Sequence, residues 1–355
     1  MNMKNIVRET WHLAICLALA SVGWVSCQQK NTFAIGPVSY VNSFPKSVVL
    51  EADSTISYDS LAIELFWVYD TMMVVQTADQ VGAWKVVSLN DYKVVREYFS
   101  KGHAFGEFTN IPACCRATYS KVNDSIQAVV YNWSEGAPYK VNLSADDDGA
   151  HSSTQKIEIE PLGYVDGYIY LSDDSYIARL LAFRKDQPKE FVYVRDGQKV
   201  DYEPFRLLNN LDVTGVKDQV NVLMAMATYN RKHNKVVVTH MLSNTLTILS
   251  LDDEKDYRSI CLGDRLITIE EAGEQLVNYE VGPKLTVSNF GDDFFAVMSH
   301  TDPDYDDFMT FDYEGNPLCR YRMEKKMDAV YQIDVLHHCI YCLDPQTSLI
   351  QRYTY

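Results

Sequence analysis

The chain has 355 residues, of which 47% are apolar and 12% aromatic, and a formal net charge of −16. An apolar fraction of that size supplies a large core and excludes a disordered chain, while 24 tyrosines suit half-buried strands better than helices. The negative balance excludes a basic nucleic-acid face, which needs clustered Lys and Arg to displace counterions from phosphates, and it suits a soluble, monomeric exported protein.

Residues 1–26 have the layout of an export signal. Lys4 and Arg8 form a basic start, residues 13–25 (LAICLALASVGWV) are an apolar run too short to span a bilayer, and Ser26 precedes Cys27 before the chain turns polar. The pattern resembles a bacterial lipoprotein lipobox, with Trp24 where Leu is usual. That resemblance implies cleavage before Cys27 and multiple acyl chains on it, an anchor far stronger than a single chain provides. The alternative is plain secretion after cleavage nearby. Gln28 replaces the aspartate associated with inner-membrane retention, so the outer membrane is implied. The stretch QQKNT lacks the acidic residues that send related lipoproteins to the cell surface, which favours the periplasmic face. Residues 27–46 are then expected to be a lipidated tether.

From Ser47 onward, short runs of Val, Ile, Tyr and Phe alternate with Asp, Asn and Gly turns, the pattern of an all-β chain. A strand SVVLEAD, beginning at Ser47, comes first and has no partner in the repeats that follow. The recurring unit begins at Tyr69 (YDTMMVVQT), Val122 (VNDSIQAVVY), Asp166 (DGYIYLSDDS, the faintest copy), Lys232 (KHNKVVVTHM), Gly291 (GDDFFAVMSH) and Leu336 (LHHCIYCLD). Each copy is followed by a strand–turn–strand segment, with Glu314-Gly315-Asn316 the clearest hairpin turn. Only residues 219–228 show a weak helical period. The 309 residues from Ser47 to the end give roughly 52 per unit, within the range of propeller blades. The expectation is a single six-bladed β-propeller over residues 47–355, with the spare strand from Ser47 joining the last blade to close the ring.

The order of lipobox, spare strand, LFWVYDTMMVVQT, VVSLNDYKVVREYF and KGHAFGEF resembles the TolB-like six-bladed propeller lipoproteins. Those proteins carry a turn close to G-x-G-P-G-E-F after the first blade. Gly102, Gly106, Glu107 and Phe108 match it, whereas Ala104 and Phe105 replace the middle glycine and the proline. The resemblance implies the fold and no particular activity.

Candidate chemistry is sparse. His103 and Glu107 are the binding candidates within the blade-exit turn, and His240, His300 and His337 are histidines that only a folded structure can place. Asp302, Asp304 and Asp306 alternate as in a calcium loop, but Asp307 stands where that loop needs glycine and Tyr313 where it needs glutamate, so a solvated hairpin tip is expected. SADDDGAH, from Ser144, reads as another turn. Asp53-Ser54-Thr55 and Asp124-Ser125-Ile126 have the form of a bacterial O-glycosylation acceptor, a pattern short enough to arise by chance. Once Cys16 is removed and Cys27 lipidated, six cysteines remain. HHCIYC resembles a metal or redox CxxC, yet Cys339 and Cys342 in a strand point to opposite faces, and the adjacent Cys114 and Cys115 read as ordinary thiols. No G-x-S-x-G, HExxH or phosphate-cradling loop occurs, and no cofactor is expected. The leading expectation is a binding or scaffolding module for an envelope protein or glycan. The alternative is a calcium-dependent propeller hydrolase or lactonase with a channel-centred site.

Overall fold

The computed structural model describes residues 31–57, 63–103, 107–144, 154–181, 189–278, 285–289, 292–302, 304–324, 326, 330–344 and 347–355. Within them the alternating pattern folds as six sheets, each built on four consecutive antiparallel strands or their equivalent, in the arrangement of a six-bladed β-propeller. Polar turns make the hairpins tight. Asn123 and Asp124 (φ 48° and 62°) join Thr118–Val122 to Ser125–Asn132, and Asp70 (φ 52°) joins Ile63–Tyr69 to Met72–Thr77. Short Asx side chains tolerate this left-handed region far better than branched ones. At the expected hairpin turn, Gly315 (φ 88°) and the Asp312 N–H to Asn316 carbonyl bond reverse the chain.

Blade 1 comprises Ile63–Tyr69, Met72–Thr77, Trp84–Ser88 and Val94–Tyr98. Blade 2 spans Thr118–Val122 to Thr154–Lys156, blade 3 Val165–Ser172 to Gln198–Val200, and blade 4 Ala225–Asn230 to Tyr257–Leu262. Blade 5 runs from Leu285–Asn289 to Pro317–Met323, and blade 6 from Val330–Asp334 to Ile350–Thr354. In blade 3 the faint sequence copy from Asp166 is displaced by one strand: Val165–Ser172 is the innermost strand, and Ser175–Leu181 is the true counterpart of the other repeats.

Both faces of each sheet are apolar because each blade packs on two neighbours, and every seam has its own cluster of buried side chains. Phe66 and Tyr341 meet between blades 1 and 6, Trp84 and Val141 between 1 and 2, Tyr131 and Tyr168 between 2 and 3. Phe191 and Val236 meet between 3 and 4, Val237 and Phe295 between 4 and 5, Phe308 and Tyr331 between 5 and 6. Side chains of this size contribute ~1.5–3 kcal/mol each when fully buried. The strand geometry also disposes of the CxxC: Cys339 packs into the 6–1 seam and Cys342 into the 5–6 seam, and neither is in a disulfide.

The largest departure from the sequence reading concerns the segment expected to be a tether. From Asn31 onward it is part of the fold. Phe33 is fully buried among Val213, Val222 and Ile269. The Ser259 hydroxyl donates to the Ile35 carbonyl (2.8 Å) and accepts from the Ile35 N–H (2.9 Å). Val38–Val41 then adds in parallel to the outer strand of blade 4, and Lys46–Leu50 adds in parallel to the outer strand of blade 5. The spare strand from Ser47 therefore covers blade 5 and does not complete blade 6. Ser54–Ile56 completes blade 6, pairing antiparallel with Ile350–Thr354. An N-terminal strand does close the ring, as expected, but one short strand later. The physical reason is that exposed outer edges of blades 4 and 5 offer unpaired backbone groups along the chain's route to blade 6.

The three α-helices of the described residues, Glu203–Asn209, Gln219–Val222 and Ile269–Val277, lie near blades 3 and 4. The weak helical period over 219–228 is helical for its first four residues and is strand from Ala225.

The ring closure carries a pH-dependent ion pair. Arg352 Nε lies 2.8 Å from Asp53 Oδ1, and the Thr354 hydroxyl donates to Oδ2 at 2.5 Å. Burial pushes the Asp53 carboxyl up, but the bonds from Thr354, Arg352 and Ser54 outweigh it and hold the group below its ordinary value of 3.8. A depressed folded-state pKa contributes stability above the unfolded value that is lost as pH falls through the folded one. Asp53→Asn is therefore expected to melt below wild type at pH 7, with the gap closing as pH drops below about 3.8. Thermal melts of both proteins across that range check this.

Candidate binding channel

The six innermost strands surround a cavity of about 310 Å³ to which every blade contributes. Trp67 comes from blade 1, Arg116 from the entry to blade 2, Tyr168 from blade 3, Met226 from blade 4, Thr286 from blade 5 and Gln332 from blade 6. The wall is mostly apolar and rich in thioethers, with Met224, Met241 and Met298 joining Met226. Methionine is flexible and polarizable, so such a wall adapts to varied apolar shapes. At one end the cavity continues into a mouth of about 470 Å³ between blades 1, 2 and 3, sharing Cys115, Arg116, Asp166, Gly167 and Tyr168 with it. Further along the same strands the space narrows to about 90 Å³, where Trp67 and Tyr69 stack on Tyr119 at 6.1 and 5.6 Å.

Charge is confined to one stretch of wall. Arg179 is 6% exposed and is held by Asp166 Oδ2 (3.0 Å), the Ala225 carbonyl (2.8 Å) and the Leu223 carbonyl. Burial lowers its guanidinium pKa to about 10, with the Asp166 charge opposing the fall. It therefore stays protonated at neutral pH. Arg116 donates to the Asp166 carbonyl at 3.1 Å, and its guanidinium lies 5.8 Å from the Trp133 ring centroid. Trp133 is 56% exposed at the mouth, an unusual position for so large an apolar surface. A half-exposed indole beside a cation offers a flat stacking face with a polar neighbour.

Cys114–Arg116 forms a single 3-10 turn that aims Arg116 at the mouth. The Cys114 N–H donates to Gln76 Oε1 at 3.0 Å and its carbonyl accepts the Tyr119 hydroxyl at 2.9 Å. Burial pushes both the Cys114 and Cys115 thiols up, so neither is an activated nucleophile at neutral pH.

The residues singled out in the sequence lie elsewhere. His103 is exposed, its Nδ1 3.4 Å from the Thr109 hydroxyl, and Glu107 folds back over Gly102. A Cβ on Gly102 would sit 1.8 Å from Glu107 Oε2, so any larger residue there would push the Glu107 carboxylate aside. Backbone bonds from Gly102 to Phe108 and from Phe108 to Ser100 close the loop. Phe108 packs edge-on between Phe99 and Tyr139, sealing blade 1 to blade 2. Neither His103 nor Glu107 borders the channel cavities described above, while Ala104, Phe105, Gly106 and Cys27 lie outside the described residues.

His240 is buried with its ring 4.9 Å from that of Phe33. His337 Nδ1 lies 2.6 Å from Asp334 Oδ2 in the blade 6 hairpin. His300 Nδ1 lies 2.6 Å from Asp306 Oδ1, and the Tyr331 hydroxyl donates to Asp306 Oδ2 at 2.9 Å. This corrects the solvated tip expected for 302–306: Asp306 is 1% exposed. Its neighbours are equally committed, Asp302 to Arg322 and Asp307 to Arg320 and Arg322. The carboxylates diverge, and among the described residues no group of three or more His, Cys, Asp and Glu is placed to hold a metal ion. Of the turn at residues 144–151, all but Ser144 lies outside the described residues.

Sequence reasoning missed the residues that shape the channel. Trp133 and Gln332 each left a trace: an indole inside the turn NWSEGA, and a lone amide inside the apolar strand VYQID.

No family model matches the sequence, and no curated protein does. Solved structures with a similar fold exist. A member of the DUF4221 family from Bacteroides vulgatus is 9% identical, with 86% of this chain and 97% of that one aligned and a TM-score of 0.52. A Bacteroides fragilis protein described as exported is 9% identical, covering 86% of this chain and 88% of that one, with a TM-score of 0.47. The propeller domain of Myceliophthora thermophila Cps50 (Swd1) is 10% identical, covering 86% and 99%, with a TM-score of 0.45. Identities this low speak to the fold alone.

Proposed function

We propose that the chain is a TolB-like outer-membrane lipoprotein, anchored through Cys27 at the periplasmic face, whose monomeric propeller binds an envelope protein or glycan at its channel mouth. The observation that carries the binding role is the mouth itself: a concave, mostly apolar opening with a few convergent polar groups, the usual form of a ligand site. Trp133 and Arg116 stand at its rim, and aromatic and arginine side chains dominate binding energy at recognition surfaces. A channel-centred calcium-dependent hydrolase has no comparable support, because Asp166, the one carboxylate lining the cavities described above, is paired with Arg179.

The anchor and the fold combine in a definite way. Cys27 precedes Asn31 by four residues, a reach of at most about 14 Å. Lipidation there would hold the surface around Asp212 and the start of Ile269–Val277 close to the bilayer.

Native mass spectrometry of the protein extracted from its own envelope in mild detergent tests the binding role. We expect a bound species on the wild-type protein, and Trp133→Ala to weaken its binding about tenfold or more. Trp133 is exposed, so its loss spares the core. An empty wild-type protein, or a bound species that Trp133→Ala and Arg116→Ala leave unchanged, would overturn the reading.

A further inference from the structure

Gln332 is the residue of the described channel wall with two unpartnered polar atoms, where Tyr168 and Thr286 have one hydroxyl each. It is fully buried, and both its Oε1 and its Nε2 lack a hydrogen-bond partner. The hydroxyl of Thr286, another residue of the same cavity, is also buried without a partner. The neighbouring polar groups offer no relief, since Arg179 is spent on Asp166 and two backbone carbonyls. Buried amides are almost always paired, because stripping water from one without replacement costs the full desolvation of its dipoles. An unpaired donor and acceptor side by side in an apolar cavity therefore describe the complement of a missing group.

That group must donate one hydrogen bond and accept another. An ether, ester or carboxylate only accepts, and a hydroxyl does both through a single oxygen, whereas Gln332 presents its donor and acceptor on two separate atoms. An amide does both at once and stays neutral. The thioethers of Met224, Met226, Met241 and Met298 and the indole of Trp67 would surround its acyl or side-chain portion. We propose that the channel cavity binds an uncharged small molecule or moiety bearing a primary carboxamide or a lactam, whose N–H and C=O share one edge and pair with Gln332, with the Thr286 hydroxyl available as a third contact. This rests on the binding role proposed above and names the ligand chemistry of that same channel.

The test is calorimetric titration of the full-length protein with δ-valerolactam and 3-methylbutanamide, each beside its ester counterpart, δ-valerolactone and methyl 3-methylbutanoate. At least one amide is expected to bind saturably, with its ester about tenfold weaker or worse, since a site built around a donor rejects the analogue lacking it. Gln332→Met and Gln332→Leu are expected to lose that amide preference while melting at or above the wild-type temperature, because each removes an unpaired buried amide. Two substitutions of different shape guard against one failing to fold, and Thr286→Val is expected to weaken the amide without abolishing the preference. Esters that bind as well as amides, a preference that survives both Gln332 variants, or no saturable amide binding because the channel holds water only would each overturn the inference. A non-amide species on the native protein would overturn it too, yet leave the binding role standing; failure of the Trp133 test would remove that role itself.

Discussion

Deletion of residues 31–50 is expected to leave a protein that unfolds or aggregates under conditions where the full chain is a stable monomer. The segment does three jobs at once. Phe33 fills a pocket with no exposure, and emptying such a pocket costs ~3–5 kcal/mol for an aromatic ring. Ser259 would lose both its bonds to Ile35. The outer strands Tyr257–Leu262 and Pro317–Met323 would become bare edges, the form of sheet that recruits another chain. Against a total stability of ~5–15 kcal/mol for a folded domain, the first term alone is a large fraction. Phe33→Ala separates the contributions, with an expected loss of ~3–5 kcal/mol by chemical denaturation and the edges left covered. Light scattering and melting of the deletion variant give the rest. A truncated protein that melts with the full chain would reduce the segment to decoration.

That expectation inverts what the sequence suggested for the same residues. NTFAIGPVSYVNSF carries no turn-bounded strand repeat, and its parallel additions to blades 4 and 5 pair it with residues more than two hundred positions away. Local pattern cannot reveal such partners, so the stretch resembled a linker. Repeats are the opposite case: alternating Val and Tyr between Asx turns depend on near neighbours, and they foretold six blades and ring closure by an N-terminal strand. A helix was overlooked where its signature was present. Thr268 and Glu271 form a capping box at the start of Ile269–Val277, with Glu271 N–H to Thr268 hydroxyl and Thr268 N–H to Glu271 carboxylate bonds of 3.1 and 2.8 Å. The channel was beyond reach for a different reason. Trp67, Arg116, Tyr168, Met226, Thr286 and Gln332 are each about one blade apart, and only the closed ring brings them to one wall.

The second large effect is expected at Asp306, and it bears on whether the protein hides a catalytic centre. Asp306, His300 and Tyr331 form a buried carboxylate–imidazole–phenol chain with separations of 2.6 and 2.9 Å, an arrangement that in an open cleft would suggest acid–base chemistry. Here it sits in the seam between blades 5 and 6, behind Met298, whose sulfur accepts the Tyr331 N–H at 3.1 Å. None of the three borders the channel cavities described above. A structural role predicts that Asp306→Ala loses ~3–5 kcal/mol, since removing one member of a buried ionic network strands the others. Asp306→Asn keeps the shape and part of the bonding, so ~1–3 kcal/mol is expected, and Tyr331→Phe, which deletes one donor, ~0.5–1.5 kcal/mol. Denaturant midpoints of the three variants should fall in that order while affinity for a channel ligand, measured well below the midpoints, stays at the wild-type value. The reverse outcome, a stable Asp306→Ala protein with altered ligand handling, would place the cluster in the working surface of the molecule and revive the enzymatic alternative.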